Sequence, residues 1–283
     1  MPIQSAPFPL LPRDTACAAE AAFGKGNIYL VIGDQVERLL AGVDLAELVT
    51  QPEESAATWI TLALVTAFQY AENLPDRRAA EAVRTRTDWK YALHLPLDGP
   101  GFDRSELCEF RKQLLLDPVA QQGFQHILDR LAELGLWRNK NHQRIEVVEV
   151  LTAVCLVSRL ERLAETMRIT LEALAARQPE WLRTVTLPHW YERYNQVFST
   201  SLLPRSKKEQ EDLAHAIGMD ARYLHEKIEG SQTAFALLPE VQSLRHELQQ
   251  QFDQSAGAAR SRSLSCAVCN DIRRSSEHTA VSA

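Results

Sequence analysis

At 283 residues, with 45 % hydrophobic and 24 % charged side chains, the chain is long enough for one or two globular domains with buried cores. Its formal net charge of -6, from 31 Lys and Arg against 37 Asp and Glu, excludes a protein coated in basic surface. Any contact with nucleic acid must therefore come from a local patch. Eleven Gly and thirteen Pro exclude collagen-like and Pro-rich disordered chains.

Five cysteines, an odd and scattered set, argue for a reducing compartment rather than a disulfide framework. Cys108 and Cys155 lie in apolar helical patterns, where a thiol acts as a small hydrophobe. The first thirteen residues hold four prolines and no charged leader, and no apolar run approaches the ~20 residues that span a bilayer. A cytoplasmic protein without a membrane partner is predicted.

In chain order, residues 1–27 read as extended, with scattered Pro and a turn at 24–27. Short helices are predicted at 34–40 and 45–48. From 55 to 73, Ile60, Leu64, Ala67 and Phe68 recur at helical spacing. Leu74-Pro75-Asp76 breaks that helix, and Asp76 can cap the next, over 77–84, which gives a helix-turn-helix-like pair. A Pro/Gly loop at 93–102 precedes helices at 106–116 and 118–134, the second ended by Gly135. After a polar loop at 138–143, residues 144–151 read as a strand, because Ile145, Val147, Val148 and Val150 are β-branched. A long helix to about 177 carries Leu156, Leu160, Leu163 and Met167 on one stripe, the pattern of core filler rather than of a cofactor site. Helices follow near 188–199, 205–217, 219–228 and 238–252. The Ser-rich stretch from 253 to 283 buries too little to offset its ordering entropy and is predicted to be disordered.

The most informative stretch is 76–91, DRRAAEAVRTRTDWKY. Arg77, Arg78, Arg84, Arg86 and Lys90 stand there among Trp89 and Tyr91. Guanidinium groups fork onto phosphates, and the second helix of such a pair commonly enters the major groove. The competing reading is a solvated helix face with ion pairs to Glu81 and Asp88. Cys266 and Cys269 form a lone CxxC. With His278 it offers three of the four ligands that a structural zinc needs, so no metal site is predicted. The acidic pairs Glu53-Glu54 and Glu161/Glu165 read as solvated faces. No phosphate-binding loop, nucleophile elbow, zinc-protease or dinucleotide fingerprint occurs.

The run AENLPDRRAAEAVRTRTDWKYALHLPLDGPGFDRSELCEFRKQLL (71–115) closely resembles DDE-type insertion-sequence transposases with an InsH-type N-terminal helical domain. The resemblance rests on Asp76–Val83, on Asp88–Leu93, on Gly101–Asp103 and on Ser105–Arg111. AAFGKGNIYL (21–30) and WLRTVTLPHWYERY (181–194) resemble the same family. It implies DNA, at the terminal repeats of the element, as partner, with Arg77, Arg78, Arg84, Arg86 and Lys90 as the contacts. It also implies pairing with itself or with an intact transposase.

In the intact family, Mg²⁺ ions held by three carboxylates drive strand transfer. The first carboxylate is an Asp on the first strand of an RNase H-like fold. Here Glu146, in HQRIEVVEVL (142–151), stands at that place. One extra methylene shifts a ligand by about an ångström, and such misplacement can cost ~10²-fold. No α/β pattern follows that could hold the other two carboxylates.

The fold class predicted is therefore mainly α. A helical DNA-binding domain over 1–137 is followed by an RNase H-like fragment over 138–252, one strand plus a helical insertion, and by the tail at 253–283. On this reading the chain is truncated before the end of the catalytic domain, carries no cofactor of its own and is inactive in cleavage, with Glu146 an inert remnant. Three alternatives stand beside it: a regulator that occupies element ends or joins an intact transposase, a product without function, and an active nuclease.

Overall fold

The computed structural model describes residues 8–24, 26–43, 55–137, 144–198, 203–204, 206–231 and 237–252. The helix expected at 45–48, the loop at 138–143 and the tail with Cys266 and Cys269 lie outside the described residues. Among those described, every regular element is a helix, so the mainly α expectation holds. No helix among them is long and apolar enough to cross a membrane. The chain divides into two units, 1–154 and 155–283, each described by itself.

The first unit contains α1 (Arg13–Ala22), α2 (Ile28–Asp34), α3 (Val36–Leu40), α4 (Ala56–Glu72), α5 (Asp76–Thr85), α6 (Thr87–Ala92), α7 (Arg104–Leu116), α8 (Pro118–Leu134) and the start of α9 (Val147–Arg177). At its centre is α4, where Trp59, Ile60 and the whole run from Leu62 to Gln69 are buried. A helix apolar on all sides belongs inside a core. Ser55 caps its start by accepting from the Thr58 N–H at 3.1 Å, and Asn73 ends it in the left-handed conformation with φ 57°. Its rings meet those of the other helices: Phe68 lies 5.2 Å from Trp89 and 4.9 Å from Tyr29, and Trp59 lies 5.7 Å from Phe110.

Two sequence expectations fail here. The extended segment expected at 1–27 contains α1. Its prolines end at Pro12, which serves as the N-cap, where its missing N–H is harmless. Thr15 and Ala19 bury one face, and the Thr15 hydroxyl donates to the Leu95 carbonyl at 2.8 Å.

The second failure is the strand at 144–151. Residues from Val147 onward are the first turns of α9, so the strand of the expected RNase H-like fragment is absent. Val147, Val150, Leu151 and Val154 are buried at the i, i+3, i+4, i+7 spacing, while Val148 and Glu149 face outward. Packing of that stripe overrides the strand preference of β-branched residues. Gln125 on α8 fixes the start of α9 from the side: its amide donates to the Ile145 carbonyl at 2.9 Å and accepts from the Val147 N–H at 3.0 Å.

The second unit packs the rest of α9 with α10 (Pro179–Val185), α11 (Pro188–Tyr194), α12 (Lys207–Gly230) and α13 (Pro239–Phe252). Leu160, Leu163, Met167, Trp190, Ile217, Leu224, Val241 and Leu244 form one buried cluster, and the expected stripe on α9 is part of it. The two helices expected at 205–217 and 219–228 are one, because Gly218 sits buried between Ile217 and Ala221. Burial of that face outweighs the ~1 kcal/mol helix cost of a glycine.

Candidate nucleic-acid interface

α5 is the helix on which the basic run begins. Ala79, Ala80, Ala82 and Val83 are buried on its inner side. At ~100° per residue, Arg77 and Arg84 fall together on the opposite side, with Glu81 and Thr85 beside them. Glu81, Arg84 and Thr85 are exposed, and Arg77 and Arg78 are half-buried. Arg78 pairs with Glu81 at 2.9 Å.

The start of α5 is clamped. Asp76 takes a two-point ion pair from Arg111 on α7, at 2.8 and 2.6 Å, and its Oδ1 also accepts from the Gln69 amide at 2.9 Å. Arg111 is only 2 % exposed. An acidic side chain in a first helical turn also suits the helix dipole. The end of α5 is held by Arg84 itself. Gly101, at φ 71°, lies so close that a Cβ there would come within 2.6 Å of the Arg84 Cγ. The stem of Arg84 therefore lies against Gly101, and the hydrogen bonds from Ser105, then the charges of Arg104 and Arg84, hold the exposed Asp103 carboxyl below the usual range.

Arg86 and Lys90 lie elsewhere. Arg86 pairs with Glu72 at 2.5 Å and forks onto Asp88 at 3.0 and 2.7 Å. Its guanidinium also lies over the rings of Tyr29 and Trp89, at 5.2 and 5.0 Å. Burial alone would make Arg86 less basic, and its bonds to Asp88 and Glu72 more than reverse that. Glu72 further accepts from the Tyr29 hydroxyl and, at 3.3 Å, from the Trp89 indole. Burial first, then the Glu72 charge, pushes the Tyr29 phenol up.

Lys90 is 3 % exposed. Its ammonium donates to the carbonyls of Pro96, Leu97 and Gly99 at 3.3, 2.6 and 3.2 Å, which uses the donor capacity of an ammonium group. Of the five basic residues expected to contact DNA, Arg77, Arg78 and Arg84 share α5, whereas Arg86 and Lys90 fasten α6 to its surroundings. Both internal pairs foreseen by the competing reading are present, Arg78 with Glu81 at 2.9 Å and Arg86 with Asp88 at 2.7 Å.

Glu146 is exposed and immediately precedes α9, where its carbonyl accepts from the Val150 N–H at 3.2 Å. Among the described residues, no group of three or more His, Cys, Asp or Glu side chains is placed to hold a metal ion. The roles of Glu72 and Tyr29 are not readable from local pattern. Those of Arg111 and Gly101 are hinted at only by their place in the motifs.

Residues 23–113 match the family model described as Transposase domain (DUF772). No curated protein and no solved structure matches the chain. The matched span includes α2 to α6 and most of α7, hence the whole clamp around α5. The match supports a transposase-family, transposition-related protein, in line with the resemblance read from the motifs. Inside the matched span, the paired residues Asp76 and Arg111 come from opposite ends of the 76–111 motif run.

Proposed function

We propose that this chain is a DNA-binding protein of insertion-sequence transposition, and that its transposase domain contacts DNA through Arg77, Arg78 and Arg84 on α5. The observation that carries the reading is the outward face of α5, rich in arginine on a chain of net charge -6, inside a transposase-domain match. The helix-turn-helix-like pair is α4 and α5, joined by residues 73–75. Arg86 and Lys90 act behind the face, as fasteners. Assignment to the DDE class, and to terminal repeats as the target, rests on the motif resemblance.

We further infer that the chain does not cut DNA. Glu146 replaces the Asp of the related pattern and opens a helix instead of standing on a strand. A role in occupying element ends, or in pairing with a cleavage-competent transposase, fits a protein that binds without cutting.

The test is duplex binding across a salt series. Each neutralised phosphate contributes about -0.9 to the log–log slope. The expected result is a clear negative slope for the native chain, flattened by roughly two units in the Arg77→Ala/Arg78→Ala double variant. A chain that fails to bind any duplex at low salt overturns the proposal.

A further inference from the structure

The geometry points to Arg84 and Glu81 as base-reading, specificity-determining residues for double-stranded DNA, with Arg84 held in place by Gly101; this rests on the DNA-binding reading above. Three observations carry it.

The first is the mixed chemistry of the α5 face. A surface built only to hold phosphates has no use for a carboxylate at its centre, because phosphate repels it. Glu81 nevertheless lies exposed between Arg77 and Arg84, one helical turn from each. In a major groove the combination makes sense: an arginine forks onto the O6 and N7 of guanine, and a glutamate accepts from the N4 amino group of cytosine. The ion pair with Arg78 orients the Glu81 carboxylate on that face.

The second is preorganisation. A long arginine that merely neutralises phosphate works from many rotamers, whereas a fork onto one base edge needs a fixed stem. Arg84 has one, because its Cγ rests where any side chain at 101 would project. The third is access. The inner side of α5 is made of alanines and one valine, and its outer side holds the polar groups alone. The major groove admits an α-helix presenting such a face. Four cations, Arg77, Arg78, Arg84 and the exposed Arg104, stand against Glu81, Asp103 and the Glu106 that caps it, so the local field leans towards a polyanion.

The experiment is selection from a duplex library with a randomised core, using the full chain and three variants, each run well below its own measured melting temperature. Arg84→Lys keeps the charge and removes the fork. Glu81→Gln keeps the shape and also releases Arg78, so base preference, not affinity, is the readout. Gly101→Ala pushes on the Arg84 stem without touching any charge; because residue 101 sits at φ 71° it also strains the loop backbone, so only a change confined to the Arg84→Lys position counts.

The native chain is expected to enrich one motif. Arg84→Lys and Gly101→Ala are expected to lose roughly ten-fold discrimination at one and the same position. Glu81→Gln is expected to change preference at a neighbouring position, whatever the freed Arg78 adds to the salt slope. If the variants enrich the native motif, the inference is overturned. It is also overturned if the native chain binds duplexes with a salt slope but enriches nothing, although DNA binding itself then stands. Failure to bind any duplex overturns both readings.

Discussion

Arg111 on α7 grips Asp76 on α5 through two parallel hydrogen bonds of 2.8 and 2.6 Å, across 35 residues of sequence. The pair is nearly shut off from water, with side-chain exposures of 3 % and 16 %. It therefore fixes where the helix carrying the basic face begins.

Removing one partner of a buried pair leaves an uncompensated charge, which costs ~3–5 kcal/mol. Arg111→Ala is expected to lower the unfolding free energy of the transposase domain by that order. Arg111→Lys should recover only part of it, because an ammonium lacks the two-point fork. Denaturant titration checks this. A loss below ~1 kcal/mol for Arg111→Ala would mean that the pair adds little.

Lys90 holds three carbonyls of the 96–99 turn, so its charge serves folding. Lys90→Met keeps the stem and takes the ammonium from the Leu97 and Gly99 carbonyls, while Pro96 keeps the Gly99 N–H at 3.1 Å; the expected cost is on the order of 2–3 kcal/mol. Hydrogen exchange should quicken in the 94–101 segment, while the salt slope of DNA binding stays as in the native chain. A flattened slope would return Lys90 to the phosphate-contacting set.

Arg86 makes a parallel case with a different partner set. Glu72, Asp88 and two aromatic faces surround its guanidinium. Arg86→Gln is expected to lower stability by about 2–4 kcal/mol, since it leaves two carboxylates facing each other without their cation. Substituting Asp88→Asn in the same chain should cost less than the sum of the two single changes. Strict additivity in that double-mutant cycle would show that the residues are not coupled.

Glu146 tests the reading of a chain that binds without cutting. Metal-assisted strand transfer needs several carboxylates converging on two ions, and Glu146 opens α9 away from any such group among the described residues. Neither the native chain nor Glu146→Asp is expected to nick supercoiled DNA with Mg²⁺ or Mn²⁺. Nicking by the Asp variant that disappears in Glu146→Ala would overturn this reading.

The sequence pattern made most of the helices of the first unit legible, because Ser55, Asp103 and Asp117 are strong caps and Asn73 and Gly135 are strong stops. It failed at 144–151, where four β-branched residues outvoted a buried stripe whose period shows only when Val154 is included. It failed again at α1, where the prolines before residue 13 masked an alanine-rich helix. At the candidate site, periodicity found the outward face of α5 but could not separate Arg84 from Arg86. That difference is set by Glu72 and Gly101, fourteen residues before and fifteen after Arg86, and only the fold brings them together.

Asp220 in α12 offers a pH test of the second unit. Its side chain is 7 % exposed and accepts from His189 at 3.0 Å, from the Tyr194 hydroxyl at 2.8 Å and from Arg193. Burial pushes its carboxyl up, but the hydrogen bonds from His189 and Tyr194, with the Arg193 charge, outweigh burial and hold it below the usual range. A carboxyl whose folded value is depressed adds stability above the unfolded value of ~3.9, and loses it as pH falls through the folded value. Asp220→Asn should therefore destabilise the unit at pH 7 and pH 5 by similar amounts, on the order of 2–3 kcal/mol. Below about pH 4 the native chain loses this contribution too, so the two proteins should converge. Hydrogen exchange of α11 and α12 amides at several pH values, read for each protein, measures that gap. A gap that stays constant down to pH 3 would show that the Asp220 carboxylate charge does not tie α11 to α12.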